Sequence, residues 1–257
     1  MTKAPAAPST AGTLLALLTA EAHALVRNGR ALIWTLALPL LVLFIGESQV
    51  HKGGPLAVPT LEIVALALTL SIFTLGLFGY ATVLATYRER GVFQRMRCAP
   101  VPAWQILGAR LLVQMLAVLL QAVLLFGIAW AVYGVAPSLA GAEFALLITI
   151  LAGLASLAIG QVIVAFVGTA GGVSAVARVL LIVLMLLDGF FFRSSGWPSW
   201  LRNAAQWTPI HIATRLMQDG LVGTQWGAAD LHYLLGLVAW IAILAYLGIM
   251  RFRWQVA

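Results

Sequence analysis

In "RERGVFQRMR", residues 88–97, four arginines and one glutamate occupy ten positions. A guanidinium keeps its charge at physiological pH and presents a planar fork of donors. It therefore suits gripping carboxylates, phosphates or carbonyl oxygens rather than shuttling protons. Read as a helix, Arg88 and Arg95 share a face, as do Arg90 and Arg97, while Val92, Phe93 and Met96 gather on another side. Gly91 marks the bend where the preceding helix ends, and Pro100 and Pro102 stop the segment. An apolar tip with a cationic flank fits a groove on a soluble partner. The same arginines would also serve as anchors that set the orientation of membrane helices.

Other groups able to do chemistry are sparse. His23, His51, His211 and His232 have no metal-ligand spacing and no nearby cysteine or carboxylate pairing, so His51 and His211 read as solvated or interfacial. Cys98 is the only cysteine, so no intrachain disulfide can form. The glycines of "GTAGGVSA" lack the lysine of a phosphate-cradling loop, and no G-x-x-x-x-G-K-[ST] occurs anywhere. Asp188 closes the apolar run "VLLIVLMLLD". An ionisable group at that depth is a functional candidate, but Gly189 and Arg193 favour an interfacial residue where the helix breaks.

The elements that must position these residues are membrane helices. Of 257 residues, 62% are hydrophobic and 9% charged, with a mean hydropathy of +1.01. Soluble domains carry roughly 25% charged residues. A water-soluble fold could not cover that much apolar surface, so the chain reads as all-α and membrane-embedded. Apolar runs at 31–46, 61–86, 106–133, 144–168, 174–192 and 231–250 read as six spans against the roughly 20 residues one needs, the first short and the second and third long enough to tilt or extend into water. In the fourth run Ala152, Ser156 and Gly160 recur every four residues, a small-residue face for close helix contact.

Ahead of the first run, residues 1–30 hold an Ala/Pro-rich tail, which reads as no cleavable signal, and then an amphipathic stretch. There Leu14, Leu17, Leu18, Ala22 and Leu25 lie opposite Thr19, His23 and Arg27, with Ser9 or Thr10 as the cap, and the expectation is a helix lying along the membrane surface. Between the last two runs, residues 193–230 are rich in tryptophan and proline. They are too polar to span and too apolar to float free, so one or two short helices entering the outer leaflet are expected.

Charge sets the orientation. With both termini in the cytosol and six alternating spans, Lys3, Arg27, Arg30, Arg88, Arg90, Arg95, Arg97, Arg110, Arg178, Arg251 and Arg253 fall inside. Only Lys52, Arg193, Arg202 and Arg215 fall outside. The pI near 10.3 therefore reflects topology, and nucleic-acid binding is not expected. The scarcity of lysine beside arginine hints at a high-GC bacterium.

"ERGVFQRMRCAPVPAWQILGARLL" resembles the loop signature of the ABC-2-type exporter permeases, the membrane subunits of type-2 ATP-binding-cassette exporters. Glu89, Gly91, Phe93, Arg95, Pro100 and Val101 fit that pattern, the glycine following Glu89 by two positions. "VRNGRALIWTLALPLLVLF" with Pro39, the six runs, and "WPSWLRNAAQWTPIHIATR" before the last run extend the likeness over nearly the whole chain. The resemblance implies a single transmembrane domain over 1–257, in which 87–105 is a cytosolic loop holding the coupling helix and 193–230 a re-entrant outer segment. Arg88, Glu89, Arg90, Gly91, Phe93, Arg95 and Met96 would couple to an ATPase. Spans two and five would line the central path, with Phe73, Leu77 and Tyr80 toward cargo.

It also implies a chain that is not itself an enzyme and binds no cofactor. ATP and Mg would sit on two copies of a separate ATPase, beside a second permease chain, identical or different, in the lipid of the cell's inner (plasma) membrane. The scarcity of charge within the runs points to a hydrophobic drug, antibiotic or lipid-like cargo, as in multidrug efflux. Two other readings stay open. One is a proton-coupled secondary transporter using Asp188 or Glu62. The other is a non-transporting membrane anchor for a soluble partner.

Overall fold

The computed structural model describes residues 10–27, 29–51, 60–92, 103–134, 137–188, 197–222 and 227–251. The described residues contain helices and no strand. In chain order these are α1 (Thr10–Arg27), α2 (Gly29–His51), α3 (Thr60–Thr74), a π-helical segment (Leu75–Ala81), α4 (Thr82–Glu89), α5 (Ala103–Tyr133), α6 (Leu139–Phe166), α7 (Ala170–Leu187), α8 (Ser199–Gln206), α9 (Pro209–Val222) and α10 (Ala228–Arg251). The segments α3, π and α4 run on as one helix, Thr60–Glu89.

Long runs of Leu, Ala, Val and Ile become helices because a bilayer offers backbone N–H and C=O groups no partner but each other. The ends are marked chemically. Ser138 accepts from the Gly141 N–H at 3.1 Å to open α6, and Thr169 accepts from Gly172 at 3.1 Å to open α7. Gly134 ends α5 with φ +68°, and Gly91 follows α4 with φ +64°, where the bend was expected. Thr10 lies inside α1 as its first residue, whereas Ser9 is outside the described residues.

Among the described residues, five helices are long and apolar enough to cross a membrane: Thr60–Glu89, Gly108–Tyr133, Leu139–Phe166, Ala170–Leu187 and Asp230–Arg251. The first expected span lies within α2, whose apolar stretch Leu36–Ser48 is shorter. The fifth was expected to reach residue 192; helix α7 ends at Leu187 with Asp188 at its C-cap position, and residues 189–192 lie outside the described residues. The outer segment forms two short helices, α8 and α9.

Thr60–Glu89 and α6 make the centre, and both are mostly buried. Ile63, Leu68, Ile72, Leu75 and Ile148 are sealed between them and their neighbours. Around this pair, α5, α7 and α10 expose apolar faces such as Leu116, Leu120 and Val123 of α5, or Tyr246 and Ile249 of α10. Helices in lipid gain little from hiding such groups, so close packing of small residues must hold them together. The stripe on α6 does this against the π segment. A Cβ on Gly76 would lie 2.4 Å from Ser156 Oγ, and one on Gly160 would lie 2.9 Å from the Gly76 carbonyl. The short α9 packs against α3, α6 and α10, burying Ile212, Leu216 and Met217.

Candidate functional site

Arg88 and Glu89 are neighbours at the end of α4, so their side chains leave the helix about 100° apart. Arg88 turns inward and is 7% exposed. Its Nη1 donates to the Val164 carbonyl at 2.6 Å, and its Nη2 to Gly168 at 2.8 Å and to Val167. Those carbonyls end α6 and begin the turn into α7. The last carbonyls of a helix lack intrahelical donors and carry the negative end of its dipole, which a guanidinium complements in both respects.

Glu89 stays at the surface and accepts the Ala170 N–H on Oε1 at 2.6 Å. Ala170 is the first residue of α7, whose early N–H groups are the complementary orphans. One dipeptide therefore binds both sides of the turn Val167–Gly168–Thr169. The arginine takes the carbonyl end and the glutamate takes the amide end. Arg90 is exposed just beyond, and Gly91 N–H closes α4 on the Arg88 carbonyl at 3.2 Å. Phe93, Arg95 and Met96 lie outside the described residues.

A second polar cluster joins α1, α5 and the central helix. Arg110, 5% exposed, lies with its guanidinium carbon 5.4 Å from the Tyr80 ring centre and 4.7 Å from that of Tyr87. Its Nη1 is 3.5 Å from Glu21 Oε2 on α1. Burial holds the Glu21 carboxyl above its ordinary value of 4.5, against the pull of Arg110. Tyr80 in turn donates to Gln161 Oε1 at 2.9 Å, and Gln114 reaches the Leu75 carbonyl of the π segment at 3.5 Å.

Asp188, the cap of α7, has an almost fully buried side chain. Its Oδ1 lies 2.9 Å from His211 Nδ1, and its Oδ2 accepts from Thr214 Oγ1 at 3.0 Å. His211 is half-buried against this carboxylate rather than solvated, and both partners sit one turn apart on α9. Arg193 is outside the described residues.

Phe73 and Leu77 are 0% exposed and Tyr80 is 4% exposed. All three belong to the chain's own packed interior, so contact with a cargo requires the helices around them to part. Sequence reasoning missed Val164, Val167 and Gly168 as partners of Arg88, and His211 and Thr214 as partners of Asp188. It also missed the Tyr80–Gln161 pair. No short-range pattern marks any of these pairs, because their members lie between 23 and 81 residues apart.

Residues 13–222 match the family model for the ABC-2 type transporter, and the chain belongs to that family. It is a multi-pass membrane protein. No curated protein matches it in sequence.

Proposed function

We propose, from the chain's membership of the ABC-2 type transporter family, that it is the permease subunit of an ATP-driven exporter. Two copies of a separate ATPase supply the energy, and a second permease chain completes the path. Helix α2 provides the sixth span through Leu36–Ser48, α1 lies along the inner surface, both termini are cytosolic, and the membrane is the plasma membrane. The cargo is a hydrophobic or amphipathic molecule, in keeping with spans that carry little charge.

The observation that carries this reading is the position of the arginine-rich segment. It continues directly from Thr60–Glu89, the most buried helix, and its first two residues are fastened to the turn between α6 and α7. Motion delivered to the loop 87–105 would enter the core rather than dissipate in a free connection. Phe93 and Met96 supply an apolar anchor in that loop, while Arg90 and Arg95 orient it against acidic groups of the ATPase. Arg88, Glu89 and Gly91 fix where it leaves the bundle. Cargo passes Phe73, Leu77 and Tyr80 when the spans separate.

Purification of the tagged protein in mild detergent from its host tests this. A P-loop ATPase recovered in near-equal amount, and lost in the Phe93→Ala, Arg95→Ala double variant, is the expected outcome. The permease alone, with cargo movement in vesicles lacking ATP, would overturn the proposal in favour of a proton-driven carrier.

A further inference from the structure

We infer that Arg88 and Glu89 are positioning residues that make the α6–α7 turn move as one piece with the arginine-rich loop, so that a nucleotide-driven displacement of the loop reaches two further membrane helices. The inference rests on the export reading above and deepens it. It gives these two residues a role directed into the chain rather than at the ATPase surface.

The geometry argues this by division of labour. A docking arginine must present its fork to a partner, but every described contact of the Arg88 fork is a backbone carbonyl of the α6 end or the following turn. A buried guanidinium forfeits its hydration, and three carbonyl acceptors replace part of it. Breaking them would leave the cation unpaired in a low-dielectric site. Glu89 can break its one described bond at lower cost, being exposed, but its acceptor is aimed at the first amide of α7. Together they hold the turn by its backbone, on both flanks.

Backbone bonds transmit displacement with less slack than side-chain contacts, since no rotamer lies on the turn's side of the link. The route of motion is then from loop to Arg88 and Glu89, to Val164–Ala170, and outward along α6 and α7. Helix α6 continues to Ser156 and Gly160 against the π segment, and α7 continues to Asp188. The glutamate acts here as a hydrogen-bond acceptor, so glutamine at position 89, which retains a carbonyl oxygen, should serve nearly as well as the native side chain.

The test is amide hydrogen exchange on the permease–ATPase complex, with and without ATP, comparing peptides from the loop 93–102 with peptides from the turn 164–172. In the native complex both should respond to ATP. In Glu89→Ala the loop and the Arg88-held side, 164–168, should still respond, while the response of the α7 side, 169–172, weakens. Cargo moved per ATP hydrolysed should then fall about three- to tenfold, as expected for loss of one hydrogen bond. Glu89→Gln should restore both. An Arg88→Met variant that fails to assemble does not affect the test, because the two Glu89 variants carry it. An undiminished response of 169–172 to ATP in Glu89→Ala, or a weakened one with unchanged cargo per ATP, overturns the inference. A loop that ignores ATP in the native complex overturns the export reading beneath it.

Discussion

His211 Nδ1 lies 2.9 Å from Asp188 Oδ1, and this pair fastens the end of α7 to the first turn of α9. With Thr214 as a second donor, Asp188 works as an acceptor between two elements rather than as a lone ionisable group facing lipid. Replacing it by alanine should cost about 1–3 kcal/mol by leaving the buried Thr214 hydroxyl unsatisfied, read as a lower melting temperature in detergent. Asp188→Asn keeps an oxygen for one donor and should retain transport. Abolished transport in Asp188→Asn with an unchanged melting temperature would instead mark a proton relay.

The Glu21 carboxyl is raised above 4.5 chiefly by burial, with Arg110 acting in the opposite sense. The folded state therefore takes up a proton at this position more readily than the unfolded chain does. Its contribution to stability is fully present below 4.5 and is lost as the pH rises through the folded-state value. Melting temperatures of the native protein and of Glu21→Gln, followed from acid to neutral pH, should show a downward slope in the former that the variant lacks. At neutral pH the variant should be at least as stable. A variant markedly less stable there would mean that the Arg110 ion pair outweighs the burial.

Gly76 and Gly127 are both helical glycines, but only one has a neighbour in the way. A Cβ on Gly76 would meet Ser156 Oγ at 2.4 Å and the Ser156 carbonyl carbon at 2.8 Å. Gly76→Ala should destabilise by about 1–3 kcal/mol, as overpacking does, and Ser156→Ala should not rescue it because the backbone atom remains. Nothing lies within 4 Å of a Cβ on Gly127. There alanine should be neutral or stabilising by about 0.5–1 kcal/mol. Equal melting shifts for the two would contradict the close approach of α6 to the π segment.

Much of the architecture could be read from the residues in order. Charge-free runs between arginine clusters give the helical membrane class, Gly91 the bend after α4, and Ser156 with Gly160 a face narrow enough for close contact. The family resemblance drawn from the loop agrees with the match over 13–222. The interior connections were not legible, and the reason is geometric. Which way Arg88 faces depends on the rotation of a thirty-residue helix, Thr60–Glu89, about its axis. That rotation is settled by packing far from Arg88. A charge count assigns it to the surface, whereas the bundle turns it inward. In sequence Asp188 reads beside Arg193, which lies outside the described residues, while the donors described for it come from α9 folded back onto it.

The π-helical segment Leu75–Ala81 has a consequence for everything after it. Wider winding accommodates extra chain in the same axial length, which amounts to about 100° of azimuth for each residue so inserted. Arg88 and Glu89 follow about two turns later, and their aim at either side of the α6–α7 turn is inherited from that offset. Removing one residue from "LGLFGYA" would leave composition, hydropathy and charge almost unchanged. It would nevertheless swing the arginine off the carbonyls and the glutamate off its amide together, so the phase of the helix upstream is as much a part of the loop's machinery as the charged residues themselves.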